Sequence, residues 1–564
     1  MYVLGLNYEN HNSAAVLMKN EHIVAASEEE RFNRFKYYTG FPISAVNFCL
    51  NQAGITIDDI DVITTFHQTI STKIEKIKMF FEMGLYASAR DEISCLNKNF
   101  QVQSIRYVLE KNGLKGDYNV NFFDHHLCHA ASTFFPSGFD DSVIMTSDGR
   151  GYLTTATIGQ GKKQKIKILK EWKTPYSFGY VYELATRLCG LGPFNEGTTM
   201  ALASYGNPIL KDRINDLMPF IKTHVYFIEA HGRMMPDLNL NPLEMYELTF
   251  KKMSQAEREK IEEFKKYKRE DIAASVQAWL EEEVKSILKK YYNESDNLCL
   301  AGGTFLNCIL NSKLRELVED IFIPPCTHDA GVALGAAILA NDGKCEKMQH
   351  AFLGPEFSSD YIESILSNKK IYDFTKSKKF GNKIKYEKSD YKHAAELLKK
   401  GKIVGWFQGR SEFGPRALGN RSILIDPSRL DLKDRLNKQV KKREPFRPYA
   451  PSILQEHFGD YFENPYPSPF MILSFQVKKE KWKEIPTVIH VDGTARVQTV
   501  TKEANEKYYN LIDSFRGLTG LPIVLNTSFN LRGEPIVNTP EDALRVFYNT
   551  GMDVLFIGEF FVYK

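Results

Sequence analysis

Short apolar runs separated by tight polar turns open the chain. Tyr2–Leu6 is apolar, Asn7–Asn12 polar, and Ser13–Met18 small and apolar; His22–Ala26 follows a Lys-Asn-Glu turn. The pattern predicts strand, turn, strand, turn, strand, then a charged helix-like segment from Glu28. The same rhythm returns later. Ser142–Thr146 and Tyr152–Ile158 read as strands on either side of an Asp148-Gly149-Arg150-Gly151 turn, and Ile166–Trp172 follows a Gly/Lys turn. Helical spacing marks residues 70–115, read as an insertion, and residues 255–292. Asn297–Asn307 reads as a strand, a Gly-Gly turn and a helix start. Ile321–Gly331 repeats the strand and turn and leads into a small-residue helix over Gly331–Ala340. Residues 342–390 are lysine-rich and weakly patterned, and the domain boundary is placed there. Beyond it, His393–Lys400 reads as a helix, Ile403–Phe407 and Pro522–Leu525 as strands, and the alternation continues to Val554–Val562.

Two three-strand meanders, each with a polar first turn, point to a duplicated nucleotide-binding unit of the actin and sugar-kinase type. In that architecture the two first turns face each other across a cleft around phosphate and metal. Four constellations could carry chemistry. His125 and His129 are one helical turn apart and share a face, whereas His126 points elsewhere. With Asp148 and Asp329, each at the end of a strand-like run, they make a ligand set suited to a transition metal such as Fe(II). Taken singly, each aspartate is better read as a turn or helix cap; the set of four reverses that preference. Gly302, Gly303 and Asn307 could lay an adenylate over a helix N-terminus, or could form only a close strand–helix turn. Residues 408–421 (QGRSEFGPRALGNR) hold three arginines among three glycines, and KQVKKREPFR over 438–447 adds positive charge. Arginine forks bind phosphates bidentately, and the interleaved Pro, Phe and Gly argue for a shaped pocket. Asn526–Asn530 (NTSFN) follows a strand with short polar side chains that could bind phosphate or cap a helix.

Composition narrows the field. The 564 residues are 43% hydrophobic and 25% charged, with a net charge of +3, so nothing favours nucleic acid or a membrane surface as the main partner. No secretory signal and no long apolar span is predicted. Eight scattered cysteines without a CxxC pair fit reduced thiols in the cytoplasm.

At SEFGPRALGNRSIL, REPFRPYAP, HVDGTARVQTV and NTSFNLRGEPIV, joined by HHLCHAAS, DGRG, LAGGTFLN and HDAGVALGAA, the chain resembles the nodulation-factor and antibiotic O-carbamoyltransferases along its whole length. The resemblance implies an α/β protein. Residues 1–355 would be a duplicated actin-like domain, similar to the tRNA threonylcarbamoyl-transfer enzyme, and residues 356–564 a YrdC-like domain. It implies that the second makes carbamoyl-adenylate from ATP, with Mg, and carbamoyl phosphate, and that the first transfers the carbamoyl group to a small-molecule hydroxyl, as in natural-product or antibiotic biosynthesis.

Residue by residue, the resemblance assigns a metal, Fe(II) or another divalent ion, to His125, His129, Asp148 and Asp329. It assigns the carbamoyl phosphate and ATP phosphates to Lys441, Arg443, Ser528 and Asn530 with Arg416, Arg421, Arg447 and Arg496. Gly302, Gly303 and Asn307 would hold adenosine, His11 would activate the acceptor hydroxyl, and Lys36 would position the intermediate. The chain departs from the family at Ala201–Gly206 (ALASYG), where GLAPYG is usual, and at Asn12, where Asp is usual. A homodimer is the working expectation. Three other readings remain: a sugar kinase or ATPase, a non-catalytic nucleotide-binding scaffold, and tRNA threonylcarbamoylation.

Overall fold

The computed structural model describes residues 1–66, 98–151, 153–218, 255–292, 296–367 and 384–564. The first part of the insertion expected over 70–115 lies outside the described residues; its end is the helix Lys98–Lys111.

Strands β1 (Tyr2–Asn7), β2 (Ala14–Lys19), β3 (His22–Glu28), β4 (Val62–Phe66) and β5 (Asn119–Phe123) form one sheet in the order β3-β2-β1-β4-β5. A second sheet holds β6 (Asp141–Gly151), β7 (Thr154–Lys162), β8 (Lys165–Lys173), β9 (Asn297–Ala301) and β10 (Asp320–Phe322), in the order β10-β9-β6-β7-β8. The two orders are the same. Each has an antiparallel three-strand meander whose first strand takes two parallel strands on its other edge. The duplication expected from the hydropathic rhythm is therefore present in the strand order.

One expected turn is different. Asp148–Gly151 lies inside β6, whose register against β7 shifts between Ser147 and Gly151, and the chain reverses between Gly151 and Thr154. Glycines let a strand bulge without breaking. Likewise Asn526–Ser528 is not beyond a strand but within one, as described below.

Two helices lie between the sheets. Helix α1 (His125–Ser137) packs on β6 and β9, and α2 (Ala330–Ala340) on β1, β2 and β4. Every residue of α2 from Ala330 to Ile338 is buried, as its apolar run AGVALGAAI requires. Its glycines set the spacing. A Cβ at Gly335 would stand 1.7 Å from the Cys128 carbonyl oxygen of α1, and one at Gly5 of β1 would stand 2.0 Å from the Ala333 carbonyl oxygen.

The rest of the chain forms a nine-stranded mixed sheet. Its strands are β11 (Lys385–Lys388), β12 (Val404–Phe407), β13 (Arg421–Ile425), β14 (Ala450–Leu454), β15 (Leu473–Gln476), β16 (Thr494–Val500), β17 (Ile523–Ser528), β18 (Val554–Ile557) and β19 (Phe560–Tyr563). Their order is β11-β19-β18-β12-β13-β17-β14-β16-β15. Period-two alternation divides its core. Val404 and Trp406 pack with helix α3 (Tyr391–Lys399) and helix α4 (Glu506–Thr519), whereas Ile403 and Phe407 pack with helix α5 (Pro540–Tyr548) on the other face. Phe413, Leu418, Ala450 and Phe470–Leu473 join the core of the second sheet, so one hydrophobic mass runs through both parts. Among the described residues no helix is long and apolar enough to cross a membrane.

Candidate functional site

The α1–α2 pair brings four ligating side chains to one point. His125 and His129 lie on α1, Asp148 on β6, and Asp329 at the start of α2. His125 Nε2 is 3.6 Å from Asp148 Oδ2 and from Asp329 Oδ1; His129 Nε2 is 3.5 and 3.4 Å from the same atoms. One ligand atom from each residue falls within 4.8 Å of all the others, and all four residues are buried. The capping alternative fails for Asp329, whose side chain makes no cap hydrogen bond. Gly151 has a role here: a Cβ on it would meet the His125 ring at 2.3 Å. His126 does point away, to Thr146 Oγ1 at 2.8 Å and the Thr154 carbonyl at 3.0 Å.

Both ring nitrogens of His125 and of His129, and Asp329 Oδ1, are buried without a hydrogen-bond partner among the described residues. Burial opposes charge on Asp148, yet the two imidazoles outweigh it and hold this carboxyl well below the usual carboxylate range. Burial likewise opposes charge on His129, but Asp148 and Asp329 outweigh it and raise the imidazole to about 9. Buried polar groups left unpaired are costly, and a divalent cation would satisfy them. Two imidazole nitrogens and two carboxylate oxygens fit such an ion.

His11, half-buried in the turn after β1, stands beside this group, with Nδ1 3.8 Å from Asp329 Oδ2 and 2.7 Å from Asn12 Oδ1. Asn7 fixes the turn by donating to the carbonyls of His11 and Asn12 at 3.2 and 3.0 Å. Gly302 and Gly303 lie on the same floor. Gly302, at φ 103°, passes so close to β6 that a Cβ would stand 2.1 Å from the Ser147 carbonyl oxygen, and a Cβ on Gly303 would stand 2.9 Å from Asp148 Oδ1. Asn307 is occupied otherwise: its Oδ1 caps the helix Cys308–Arg315 at Leu310 N, 3.0 Å, and its Nδ2 donates to Gln277 at 2.8 Å.

A second group, of cations, gathers where the nine-stranded sheet meets the first. Lys441 ends a π-turn over Asn437–Lys441, a feature frequent at functional sites. Its Nζ donates to the Ser528 carbonyl at 2.6 Å, Ser528 Oγ at 3.2 Å and Asn530 Oδ1 at 2.7 Å, so the three residues paired by sequence motif are joined in space. Burial, then Arg443, Arg447 and Lys36, lower Lys441 well below its ordinary value. Burial, then Arg496 and Arg447 against Cys308, lower Arg416; burial also lowers Arg496. Lys36 comes from the first part of the chain and is exposed; the protein packed around it, opposed by Glu30, and then Arg447, Arg31 and Arg416 lower its ammonium. The Nε atoms of Arg416 and Arg496 are buried without a partner among the described residues. Arg443 lies over the Tyr449 ring at 3.9 Å, and Arg447 reaches Glu444 only at 3.9 Å.

Arg421 does not belong to this group. It is wholly buried, stacks on Phe407 at 3.7 Å, and spends Nη1 and Nη2 on the carbonyls of Gln408, Gly409, Asn420 and Pro355. The loop that presents Arg416 is drawn together by Glu412 Oε1, which accepts from the backbone N–H groups of Leu418, Asn420 and Arg421. Its Gly414, at φ 122°, is pressed against Pro325, and Arg31 bridges Glu28 to the Gly414 carbonyl.

Three side chains near His11 escaped the sequence reading. Phe194 meets the His11 ring edge-on at 5.6 Å and stacks on Tyr37. Burial, then Glu183, raise the carboxyl of Glu196 to about 7, with His11 opposing. The one visible signal was Asn195 before Glu196, a helix start.

The chain matches two family descriptions, Carbamoyltransferase N-terminus over residues 2–338 and Carbamoyltransferase C-terminus over residues 395–564. The chain belongs to the carbamoyltransferase family. Similar proteins extend along its length. Nodulation protein NolNO of Sinorhizobium fredii is 36% identical over 98% of this chain and 79% of its own. Nodulation protein NolO of Bradyrhizobium diazoefficiens is 37% identical over 78% of this chain and 79% of its own. Among solved structures, HypF of T. kodakarensis overlaps 60% of this chain and 47% of its own at 14% identity with a TM-score of 0.29, too slight a likeness to argue from. The protein is therefore an enzyme of carbamoyl transfer.

Proposed function

We propose that the protein is an ATP-dependent O-carbamoyltransferase. Residues 356–564 act as a YrdC-like portion that makes carbamoyl-adenylate from carbamoyl phosphate and ATP. Residues 1–355 act as an actin-like portion that passes the carbamoyl group to a hydroxyl of a small natural product or sugar. The cationic cluster carries this reading. Arginines do not shed their protons to relieve repulsion, so Arg416, Arg443, Arg447 and Arg496, with Lys441 and Lys36, are waiting for polyanionic charge. A triphosphate with a carbamoyl phosphate supplies it.

The proposed steps balance with one water consumed. Carbamoyl phosphate loses phosphate to water, leaving carbamate. A carbamate oxygen then bonds to the α-phosphorus of ATP, and pyrophosphate leaves with its charge held by the arginines. Adenylation gives the carbamoyl group AMP as leaving group and a large handle for binding energy. In transfer, His11 accepts the acceptor's hydroxyl proton, the hydroxyl oxygen bonds to the carbamoyl carbon, and the bond to AMP breaks. Lys36, reaching the cluster from the first part of the chain, holds the adenylate phosphate. Arg421 and Asn307 shape the loops that carry Arg416 and the adenosine. A divalent metal held by His125, His129, Asp148 and Asp329 would supply Lewis acidity and orientation. All seven described cysteines are free, which supports a reducing compartment such as the cytoplasm.

The test is pyrophosphate release from ATP and Mg²⁺, with and without carbamoyl phosphate, in the wild type, Lys441→Ala and Ser528→Ala. Release that needs carbamoyl phosphate and is lost in both variants is expected. Hydrolysis to ADP indifferent to carbamoyl phosphate would overturn the reading in favour of a kinase or ATPase.

A further inference from the structure

An aromatic pair flanked by the cationic cluster and the His–Asp group has no part in the steps above. Tyr37 and Phe194 stack with ring centroids 4.1 Å apart and planes 21° apart. They arrive from separate loops, Tyr37 after the short helix Glu30–Asn33 and Phe194 just before the helix Glu196–Ala203. Both stand at positive φ, 61° and 58°. Bulky residues rarely take this conformation, and two of them meeting ring to ring marks strain retained by the surrounding structure. The Tyr37 hydroxyl donates to the Phe194 carbonyl at 3.5 Å.

The neighbours of the pair differ on its two sides. The Lys36 ammonium lies 4.9 Å from the Tyr37 ring centroid, and Arg416 and Arg447 act on the same phenol. On the other side Phe194 edges the His11 ring at 5.6 Å, with Asp329 beyond. A row Lys36, Tyr37, Phe194, His11 thus runs from the anion side to the transfer side. Phe194 is 45% exposed, which a large apolar ring serving only the core would not be.

We infer that the Tyr37–Phe194 stack is a clasp that shields the activated carbamoyl group from bulk water until an acceptor displaces the Phe194 ring. The inference rests on the carbamoyl-adenylate reading. The reaction it suppresses is hydrolysis. A water oxygen bonds to the carbamoyl carbon, the bond to AMP breaks, and AMP leaves with carbamic acid, which falls apart to ammonia and carbon dioxide. An acceptor oxygen uses the same trajectory, so an enzyme with an open site would waste one ATP for each water that arrived first. Tyr37 and Phe194 are positioning residues: neither carries a proton or a charge in the transfer.

The experiment uses the full chain with ATP, Mg²⁺ and carbamoyl phosphate and no acceptor, following pyrophosphate and AMP through the first turnover and into the steady state. The wild type is expected to release a burst near one pyrophosphate per chain and then turn over slowly. Tyr37→Ala and Phe194→Ala are expected to keep the burst and to release AMP in the steady state at least ~5-fold faster, with water entering the opened site. Tyr37→Phe, which keeps the ring, is expected to behave as wild type. Wild-type steady-state rates in both alanine variants would overturn the clasp, as would loss of their burst, because the stack takes no part in making the adenylate. Pyrophosphate release that ignores carbamoyl phosphate in the wild type would instead remove the adenylate reading, and the clasp with it.

Discussion

Gly335→Ala isolates the contact that sets the spacing of the His–Asp group. The added methyl carbon would lie 1.7 Å from the Cys128 carbonyl oxygen, so α1 and α2 must part by about 1.7 Å to restore an ordinary contact near 3.4 Å. Cys128 is next to His129, and Asp329 stands at the other helix's first turn, so the displacement is carried directly into the ligand set. Metal–ligand distances tolerate only ~0.2 Å. Overpacking of this kind costs about 1–3 kcal/mol of stability, and the loss of ligand geometry weakens metal binding by ~10-fold or more. Calorimetric titration of the metal-free protein with Mn(II), beside a thermal melt, reads both. Carbamoyl-phosphate-dependent pyrophosphate release should survive, because the cationic cluster is built on other elements. Wild-type Mn(II) affinity together with a wild-type melt would refute the claim that the α1–α2 spacing governs the site.

Other expectations follow from the same geometry. His129→Ala removes one of the four gathered ligand groups, so a metal that copurifies with the wild type should be lost in elemental analysis; retention would show that the four residues do not act together. Arg496→Met relieves the repulsion that Arg496 exerts on Arg416 and Arg447, so the ligand-free melt should hold or rise while the stabilisation given by added pyrophosphate falls; unchanged pyrophosphate stabilisation would contradict the cluster's role. Glu28 is lowered from 4.5 to about 2, because Arg31 and His328 outweigh the effect of burial. Its stabilisation, on the order of 3 kcal/mol, is present above pH 4.5 and lost as pH falls through 2, so the urea midpoints of wild type and Glu28→Gln should converge towards acid. Gly414→Ala must hold a Cβ at φ 122° and 2.4 Å from the Pro325 carbonyl oxygen. It should destabilise by more than ~1 kcal/mol and raise the KM for carbamoyl phosphate by freeing the Arg416 loop.

Local pattern carried much of this structure. The meanders were legible because a strand's apolar run and its polar turn are neighbours in sequence, and His125 and His129 because helical spacing puts them on one face. Asp148 and Asp329 were legible only as a set, since each alone also fits a cap. What stayed hidden depends on long-range partners. The three-arginine loop reads as uniformly available, yet Arg421 is consumed by four carbonyls, one of them from Pro355, far off in the chain. Asn307 looked like a ligand and is a cap with a glutamine partner from a distant helix. The Asp148–Gly151 stretch reads as a turn because glycine and aspartate favour turns, but it continues β6, whose pairing with β7 resumes at Gly151. Tyr37 and Phe194 gave no signal, since positive φ in an aromatic residue is imposed by the fold.

The cationic cluster also has a mechanical consequence. Its members come from both parts of the chain, with Lys36 on one side and Arg416, Lys441, Arg447 and Arg496 on the other. Like charges crowded across the join oppose the apolar contacts that hold the two parts together, and an anion shared among them would relieve that opposition. On the proposed function, bound substrate would thus act as mortar between the two parts, and its loss as pyrophosphate or AMP would withdraw that share of their cohesion.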